Sequence, residues 1–576
     1  MVRSHIRTCA SAVVAIGLTA GSTEASADVT VPPVVTAESA AVLADSIDAE
    51  VRQWSSPASG GYQWDGKTTA AAVGDHYDVT LPSLRLIGEH ARFDIGVIKL
   101  GLTPETDGSV DVAAVLPSQI TTLGADGQPD GHVVIGSQHF SGHWLPSLGT
   151  FVKVDGAYGD LQASSPKDSS RFTVGTLTFK VDLTQTPTGR WTGPSAFGIN
   201  KVDVFDEHGA QLAHFGDLTL STMVSDLDLK QALASDVNGK ANNAGETKVA
   251  KEEVAKEDDA KSEDAKSGKD EDEDAKDEEG KTGNEVAAKD EDAKAGKDVT
   301  AKVKAKAEAE NTDKKTLEEF RSLLQHLTAT HEALTSLSAK LELKDVAVTA
   351  SDVGPVTFDH VEVEGGVKHD GEMSTISLGY NHDGLKLTSP SVPPGLLPQK
   401  ADVSVDLSSL PAVKLASILL RANEAKASGD DKGAEAASRD LLVSLYQPGV
   451  QLNIKSLHID TPMAAVKLNG DARLDGTAKQ GAVVSIDMAL RGVDALVKET
   501  QPAPGAKPDE EAQNLAAILT MLQVMGAPGK DESGRDVRDY KLRMGTDGKI
   551  LLNGTDLSAM LPSNQPQGGA PPAAGH

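Results

Sequence analysis

Several residue types are scarce in this chain, and each shortage excludes a class of protein. The 576 residues include one cysteine, Cys9, and only 3% are aromatic. One cysteine cannot form an intramolecular disulfide, and so few rings predict aliphatic cores. Basic residues are also few, since 55 Lys and Arg stand against 85 Asp and Glu, for a formal net charge of -30. This charge argues against a nucleic-acid partner, which needs clustered cations.

Long apolar runs are missing as well. A bilayer-spanning helix needs roughly 20 apolar residues, and the N-terminal run from Ser11 to Ala20 is shorter. It follows Arg3 and Arg7 and precedes small residues that end at Ala27, an order typical of a secretory signal peptide. We therefore expect residues 1–27 to be a signal peptide cleaved after Ala27, Cys9 to leave with it, and the mature chain to be periplasmic or envelope-associated. The alternative is an uncleaved membrane anchor.

A charged segment divides the remaining chain. Between about Val237 and Lys315 the sequence consists mainly of Ala, Lys, Glu, Asp and Gly, with repeats such as "KEDDAK" and "KSEDAK". Such a composition has too few apolar side chains to offset the entropy of ordering the backbone. We predict a disordered linker at 237–315 between two β-rich regions, 28–229 and 316–561, and a disordered tail at 562–576.

The pattern of apolar residues favours strands on both sides of this linker. After a predicted helix at 40–54, with Leu43, Ile47, Val51 and Trp54 on one face, apolar residues recur every second position, as in "RFTVGTLTFKVDL". Asp-Gly turn signals separate these segments. We expect a β-rich α+β fold, in which extended, curved, antiparallel sheets form two related halves with a few flanking helices.

Two helices stand out in the second half of the chain. A helical stripe runs from Leu317 to Leu341. A second helix, Glu510 to Met525, is predicted to end at Gly526 and to bury the side chains of Leu515, Ile518, Leu519 and Leu522.

One stretch matches a phosphate-binding motif. Gly61 to Thr68 fits G-x-x-x-x-G-K-[ST], the P-loop pattern, which requires a buried strand before it and a helix after it. Neither is predicted here. The pattern G-Y-x-[WH]-D-G also recurs at Gly379 to Gly384, where Leu385 and Lys386 replace the Lys-Thr pair. We therefore interpret both copies as Asp-Gly turns between strands.

No other motif predicts a reaction. His139 and His143 are four residues apart, but this spacing brings metal ligands together only on a helix, and no helix is predicted there. H-E-x-x-H and G-x-S-x-G are absent. The aromatic residues could form a sugar-binding module, although core packing is the favoured interpretation for Tyr62, Trp64, Trp144 and Trp191. We predict no catalytic, cofactor-binding or metal-binding residue, and no cofactor.

The second half resembles a known family. Residues Asp440 to Gly476, "DLLVSLYQPGVQLNIKSLHIDTPMAAVKLNGDARLDG", the stretch "LGYNHDGL" and the closing hairpin at Asn553-Gly554 are similar to the YdgA-like family of exported bacterial proteins. The resemblance covers roughly Leu341 to Leu561. It implies an envelope protein with an extended β-sheet, and it implies no catalytic residue.

These observations lead to a first hypothesis about function. We expect a non-catalytic, exported envelope protein that binds a lipid, another hydrophobic ligand or an envelope partner on a β-sheet surface, because Val, Leu and Ile are abundant in the strands. The same residues would also serve to pack two sheet layers together. A hydrolase that uses carboxylates or an unrecognised serine is the alternative function, and it would require polar groups that converge in one pocket.

Overall fold

The computed structural model describes residues 30–53, 61–88, 92–124, 126–165, 170–233, 332–350, 354–387, 394–499, 510–531 and 533–558. Of these residues 58% lie in strands and 19% in helices, and the strands form antiparallel sheet, which confirms the predicted fold class. The predicted signal peptide, linker and tail lie outside the described residues.

Helix α1 spans Ala37–Gln53 and begins at a Thr36 cap, where the Ser39 N–H donates to Thr36 Oγ1 at 3.1 Å. Its predicted apolar stripe is buried, and Trp54 lies outside the described residues. The buried Tyr77 hydroxyl lies within hydrogen-bond distance of two carbonyls that precede the helix, Pro32 O at 3.0 Å and Val34 O at 2.8 Å. These contacts fix the segment before α1 against the sheet.

The first nine strands form a branched antiparallel arrangement. Strand β4 pairs with β5 and β6, and β9 pairs with β7 and β8. The strands are β1 (Gly61–Asp65), β2 (Thr69–Val73), β3 (His76–Ile87), β4 (Arg92–Pro104), β5 (Val110–Val115), β6 (Gln119–Leu123), β7 (Pro129–Val134), β8 (Ser137–Leu145) and β9 (Thr150–Ser164).

From β9 onward the sheet continues as a meander. Except for short side strands, each strand pairs with the next one along the chain. The strands are β10 (Arg171–Asp182), β11 (Thr184–Gln185), β12 (Trp191–Phe205), β13 (Gln211–Leu227), β14 (Ser336–Ala350), β15 (Gly354–Asp370), β16 (Met373–Asp383), β17 (Lys386–Leu387), β18 (Lys400–Leu410), β19 (Gln451–Asp460), β20 (Ala465–Leu474), β21 (Ala482–Arg491), β22 (Ala527–Lys530), β23 (Asp536–Met544), β24 (Ile550–Leu552) and β25 (Thr555–Asp556).

The two predicted halves belong to one continuous sheet. Strand β13 pairs directly with β14, from Ala213 opposite Val348 to Ser225 opposite Ser336, although about a hundred residues separate the two strands in sequence. Strand β14 begins at Ser336, so the predicted helical stripe was wrong at its C-terminal end, where Leu341 lies in a strand. The rest of that stripe up to His331 lies outside the described residues.

Helices interrupt the meander in its second part. They are α2 (Ala412–Ser428), α3 (Asp431–Tyr446), α4 (Val493–Glu499) and α5 (Glu510–Met525), together with a 3-10 turn at Pro394–Leu396. The described residues form two compact units, one within 30–227, 334–411 and 445–558, the other made of 228–233, 332–333 and 412–444. Within the second unit, Arg421 on α2 and Asp440 on α3 form an ion pair at 3.1 Å.

Two buried clusters stabilise the part of the sheet that runs from β1 to β12. One contains α1 residues and Tyr77. The other contains Leu177, Tyr158 and side chains of β3, β4, β6, β7, β9, β10 and β12. In this part of the chain the apolar strand residues do pack in a core, which is the packing role that the sequence left open.

A line of irregularities crosses neighbouring strands. Lys201 and Asp345 have left-handed φ angles of 54° and 50°. Each lies opposite a glycine of the adjacent strand, Gly175 or Gly216, at which an added Cβ would approach the opposing Cβ to 3.1 or 2.8 Å. The two buried apolar side chains of β10 on either side of Gly175 are three positions apart and belong to the same buried cluster, so the alternation of faces shifts by one position here.

Both copies of G-Y-x-[WH]-D-G have the same structure, which is not a hairpin. In the first, β1 ends at Asp65 and β2 continues along the same partner, β3. In the second, β16 ends at Asp383 and β17 continues along the same partner, β15. The glycine that ends each copy has a positive φ, 106° at Gly66 and 71° at Gly384. The repeat is therefore a strand break with a structural role.

Replacing Gly384 with alanine is expected to destabilise the sheet by about 2 kcal/mol or more, because the φ is unfavourable for alanine and the new Cβ would lie 2.2 Å from Asp359 Cγ. Gly371→Ala is the matched control, since its φ is 60° and no atom lies within 4 Å of the added Cβ. It should cost only about 1 kcal/mol. Equal costs in urea unfolding would contradict the steric account.

Burial raises the pKa of the Tyr158 phenol to about 12. In the unfolded chain the phenol ionises near pH 10, so the folded state loses stability as the pH rises from about 10 to 12. At pH 11 we expect a loss of about 1.4 kcal/mol from this group relative to pH 8. The Tyr158→Phe variant has no phenol to ionise at this position. The difference in unfolding free energy between wild type and variant should therefore change by that amount between pH 8 and pH 11. A difference independent of pH would contradict the assignment.

Candidate functional site

The meander has one apolar face between β13 and β23. The register places one apolar residue of each strand directly opposite that of the next, so a row of side chains crosses nine strands. Neighbouring strands lie about 4.8 Å apart, so the row is about 38 Å long. Its members are Leu220, Leu341, Val363, Tyr380, Val403, Leu457, Leu468, Met488 and Tyr540.

A second row runs parallel to the first on the same face. On each strand that the two rows share, its member is four residues from that of the first row, or five on β19, where the register shifts, and it is also wholly apolar. Its members are Val224, Leu337, Val367, Ile376, Leu407, Leu452, Ala472, Val484, Met544 and Ile550. We call these two rows, with the residues between them on the same side, the apolar face.

The apolar face is more exposed to water than the buried cluster of Leu177 between β3 and β12. Leu177 on β10 is fully buried, whereas Leu220 on β13 is 42% exposed and Leu378 on β16 is 57% exposed. Val363 and Tyr380 are exposed as well, and most other members of the rows are half-buried. A contiguous apolar surface that a folded chain leaves open to water is typical of a binding site.

The opposite face of the same strands is polar. Glu342 lies opposite Glu362, and His360 Nε2 lies 3.2 Å from Glu342 Oε1 and 3.8 Å from Glu362 Oε2. Lys344 Nζ contacts Glu342 at 3.0 Å and holds the pKa of that carboxyl below its usual value. Lys340 Nζ contacts Glu362 at 2.7 Å, and this contact raises the lysine pKa. Two ammonium groups thus balance two carboxylates that would otherwise repel each other across the strands.

These three residues, Glu342, His360 and Glu362, are the one group of three or more metal-ligand side chains within 4.8 Å of one another among the residues that the structure describes. No metal-binding residue was predicted from the sequence. The paired lysines give the cluster a structural explanation as an ion-pair network.

A buried histidine lies at the border of the apolar face. His382 is flanked by Val361 and Ala401 on the neighbouring strands, and its Nε2 lies 3.1 Å from Pro398 O. Because a carbonyl only accepts, Nε2 carries the proton. The ring lies 5.5 Å from that of Tyr380 and 6.1 Å from that of Phe358. The imidazole is thus held in place at this edge.

The P-loop match has the structure of a strand break. Strand β1 is antiparallel to β3, and Thr68 is followed by strand β2 in place of a helix. The Thr68 N–H, which would face a phosphate in a P-loop, donates to Asp48 Oδ1 at 3.0 Å and lowers the pKa of that carboxyl. The strand and helix that a P-loop requires are therefore not found among the described residues around this motif, whereas the predicted Asp-Gly turn was wrong in kind, because both copies break a strand and do not join a hairpin.

The other histidine and aromatic residues considered from the sequence lie in strands or pack against the core. His139 and His143 lie on strand β8, and His143 Nδ1 lies 2.7 Å from Asp111 Oδ1. Trp191 is buried. The other three rings pack against the buried clusters, Tyr62 on the cluster of Leu177, Trp144 on that of α1 and Trp64 on both. These four aromatic side chains therefore lie in the core or pack against it.

None of the helices in the described ranges combines the length and the hydropathy required to cross a bilayer. Comparisons with protein families, with curated proteins and with solved structures gave no match to this chain. The resemblance of the second half to the YdgA-like family therefore stays a prediction.

Proposed function

We propose that this chain is a non-catalytic, exported envelope protein whose apolar face binds the acyl chains of lipids. The observation that supports this proposal is the pair of apolar rows, which cross nine and ten strands and whose members, apart from the buried Tyr540, are exposed or half-buried. Acyl chains offer neither hydrogen-bond donors nor acceptors, and the two rows offer them almost none. Apolar burial alone, at about 25 cal/mol per Å², would drive such binding.

The composition of the rows favours a lipid over a protein partner. Protein interfaces take most of their binding energy from Trp, Tyr and Arg anchors. The rows contain neither Trp nor Arg, and of their two tyrosines Tyr540 is buried. A broad aliphatic surface without anchors fits a flexible chain of methylene groups better.

The alternative function, an envelope hydrolase, finds no support in the described residues. A general acid at neutral pH needs a carboxyl whose pKa is raised. Where the carboxyl pKa values shift, they are lowered, as at Asp107, which accepts hydrogen bonds from the Ser109 hydroxyl and N–H. The Asp107 carboxylate thus stabilises a turn, and that of Glu342 belongs to the ion-pair network on β14 and β15.

Native mass spectrometry on the protein purified from its own envelope in mild detergent tests the proposal. We expect adducts with the masses of membrane lipids that persist after detergent exchange. A chain that is free of lipid, both after purification and after incubation with lipid vesicles, would rule the proposal out.

A further inference from the structure

Helices α4 and α5 lie at the end of the apolar face. Tyr540, the last residue of the first row, donates its hydroxyl to Leu522 O on α5 at 2.7 Å. Gly526 follows α5 without a left-handed φ, and it permits a close approach, since an added Cβ would lie 2.7 Å from Tyr540 Oη. Asn553 Nδ2 donates to Met525 O at 3.0 Å. The C-terminal half of α5 is thus fixed to the strand where the first row ends.

The other side of α5 is apolar and exposed. The sequence predicted that Ile518 would be buried, and this was wrong: it is 52% exposed, with Met521 at 54% and Val524 at 78%. Leu519 and Leu522 are half-buried, and Leu515 is outside the described side chains. The three exposed residues are three positions apart, so they form one stripe. No charged residue occurs between Asn514 and Met525, in a chain that is 24% charged.

A groove of about 660 Å³ continues this stripe between α4 and α5. Its lining is apolar except for Thr520, and it includes Val497, Ala517, Met521 and Met525. Gln523 Nε2 donates to Asp494 Oδ1 at 2.5 Å and joins the two helices. The stripe and the groove together form one uncharged surface, which we call the α4–α5 surface.

A lipid bilayer fits this surface better than a second copy of the chain. A stable protein interface buries about 800 Å² on each partner, and three side chains with a small groove provide much less. A helix that exposes an apolar stripe can lie in the plane of a membrane with that stripe inserted at the headgroup boundary. Helix α5 is about 24 Å long, from 16 residues at about 1.5 Å each. This is shorter than the bilayer core of about 30 Å, so the helix would lie on the bilayer and would not span it. Its sequence has no Lys or Arg to attract anionic headgroups.

We infer that the α4–α5 surface docks on a zwitterionic bilayer, with Ile518, Met521 and Val524 inserted at the headgroup boundary. This contact would place the end of the apolar face at the membrane, where acyl chains enter or leave it. The inference rests on the proposed function, because it assigns the surface through which the lipid site meets the bilayer.

A fluorescent label tests the contact. The only native cysteine is Cys9, so Met521→Cys in a Cys9→Ser background gives one site for an environment-sensitive nitrobenzoxadiazole label on the full chain. On phosphatidylcholine vesicles we expect a blue shift and a rise in emission at position 521. The same label at Leu442→Cys, an equally exposed apolar site on α3, should change little. Equal responses at both sites, or none at 521, would overturn the inference.

A triple variant measures the strength of the contact. Ile518→Gln with Met521→Gln and Val524→Gln should reduce vesicle binding at least ~10-fold, because three apolar side chains no longer leave water. Leu419→Gln with Leu442→Gln and Val443→Gln is the matched control on α2 and α3, with three exposed apolar residues replaced. It should bind vesicles as wild type does, and an equal loss in both variants would overturn the inference.

The failure of this inference differs from the failure of the proposed function. The α5 triple variant should still co-purify with lipid on the apolar face. A chain with sheet-bound lipid and no response at position 521 would refute the docking surface alone. A chain that responds at 521 and carries no lipid would refute the proposed function and leave the docking surface standing.

Discussion

Leu378→Asp is expected to weaken lipid binding by the purified chain at least ~10-fold, since burying a leucine side chain is worth about 1.5–3 kcal/mol and each 1.4 kcal/mol is a factor of ten. Leu378 lies on β16 within the apolar face and is 57% exposed, so its replacement removes little core packing. The carboxylate would also have to lose water when an acyl chain covers it. Fluorescent fatty-acid displacement measures the affinity.

Asn469→Asp is the control for this variant. Asn469 is exposed on β20, next to Leu468 of the first row and therefore on the opposite, polar face. The change is nearly isosteric and adds the same charge, so any effect of net charge would appear in both variants. Equal affinities of the Leu378→Asp variant and wild type would exclude β16 from the lipid site.

Leu177→Ala should lower the free energy of unfolding by about 3 kcal/mol, because a fully buried leucine leaves a cavity when it is truncated. Leu220→Ala should cost about 1 kcal/mol or less, because that side chain is already 42% exposed. Both residues lie on the same side of the sheet, Leu177 on β10 and Leu220 on β13. Urea unfolding, followed by circular dichroism, measures both costs.

This pair of variants tests where the covered core ends. If Leu220→Ala proved as costly as Leu177→Ala, the face at β13 would be covered in solution. The apolar rows would then be an ordinary core, and the sheet-layer packing considered from the sequence would apply to the whole chain.

The fold class could be predicted because alternation of apolar and polar residues survives in almost every strand. In β10, for example, apolar and polar residues alternate from Leu177 to Asp182. Helix α1 was predictable for the same reason, since Leu43, Ile47 and Val51 keep a helical spacing. Local periodicity therefore carried most of the information about secondary structure.

Register and exposure could not be predicted from periodicity. The pairing of β13 with β14 joins segments on either side of the charged segment, and no local signal marks such a long-range pair. The left-handed residues Lys201 and Asp345 shift the alternation by one position, so a strict period of two assigns one side of each strand to the wrong face. The apolar face becomes visible only when the strands are aligned.

The helical errors have a related cause. The apolar residues of α5 predict burial at Ile518. However, these residues lie on two sides of the helix, and only the side of Leu522 contacts the sheet. At Leu341 the sequence kept a helical spacing, and the pairing of β14 with two neighbouring strands prevailed. Tertiary contacts decided both cases.

Photocrosslinking in the native envelope tests the lipid-binding face most directly. A benzophenone amino acid at position 378 should form covalent adducts with membrane lipid, and the same residue at position 469, on the polar face, should form none. Lipid adducts at both positions or at neither, or adducts at 378 with protein alone, would contradict the account.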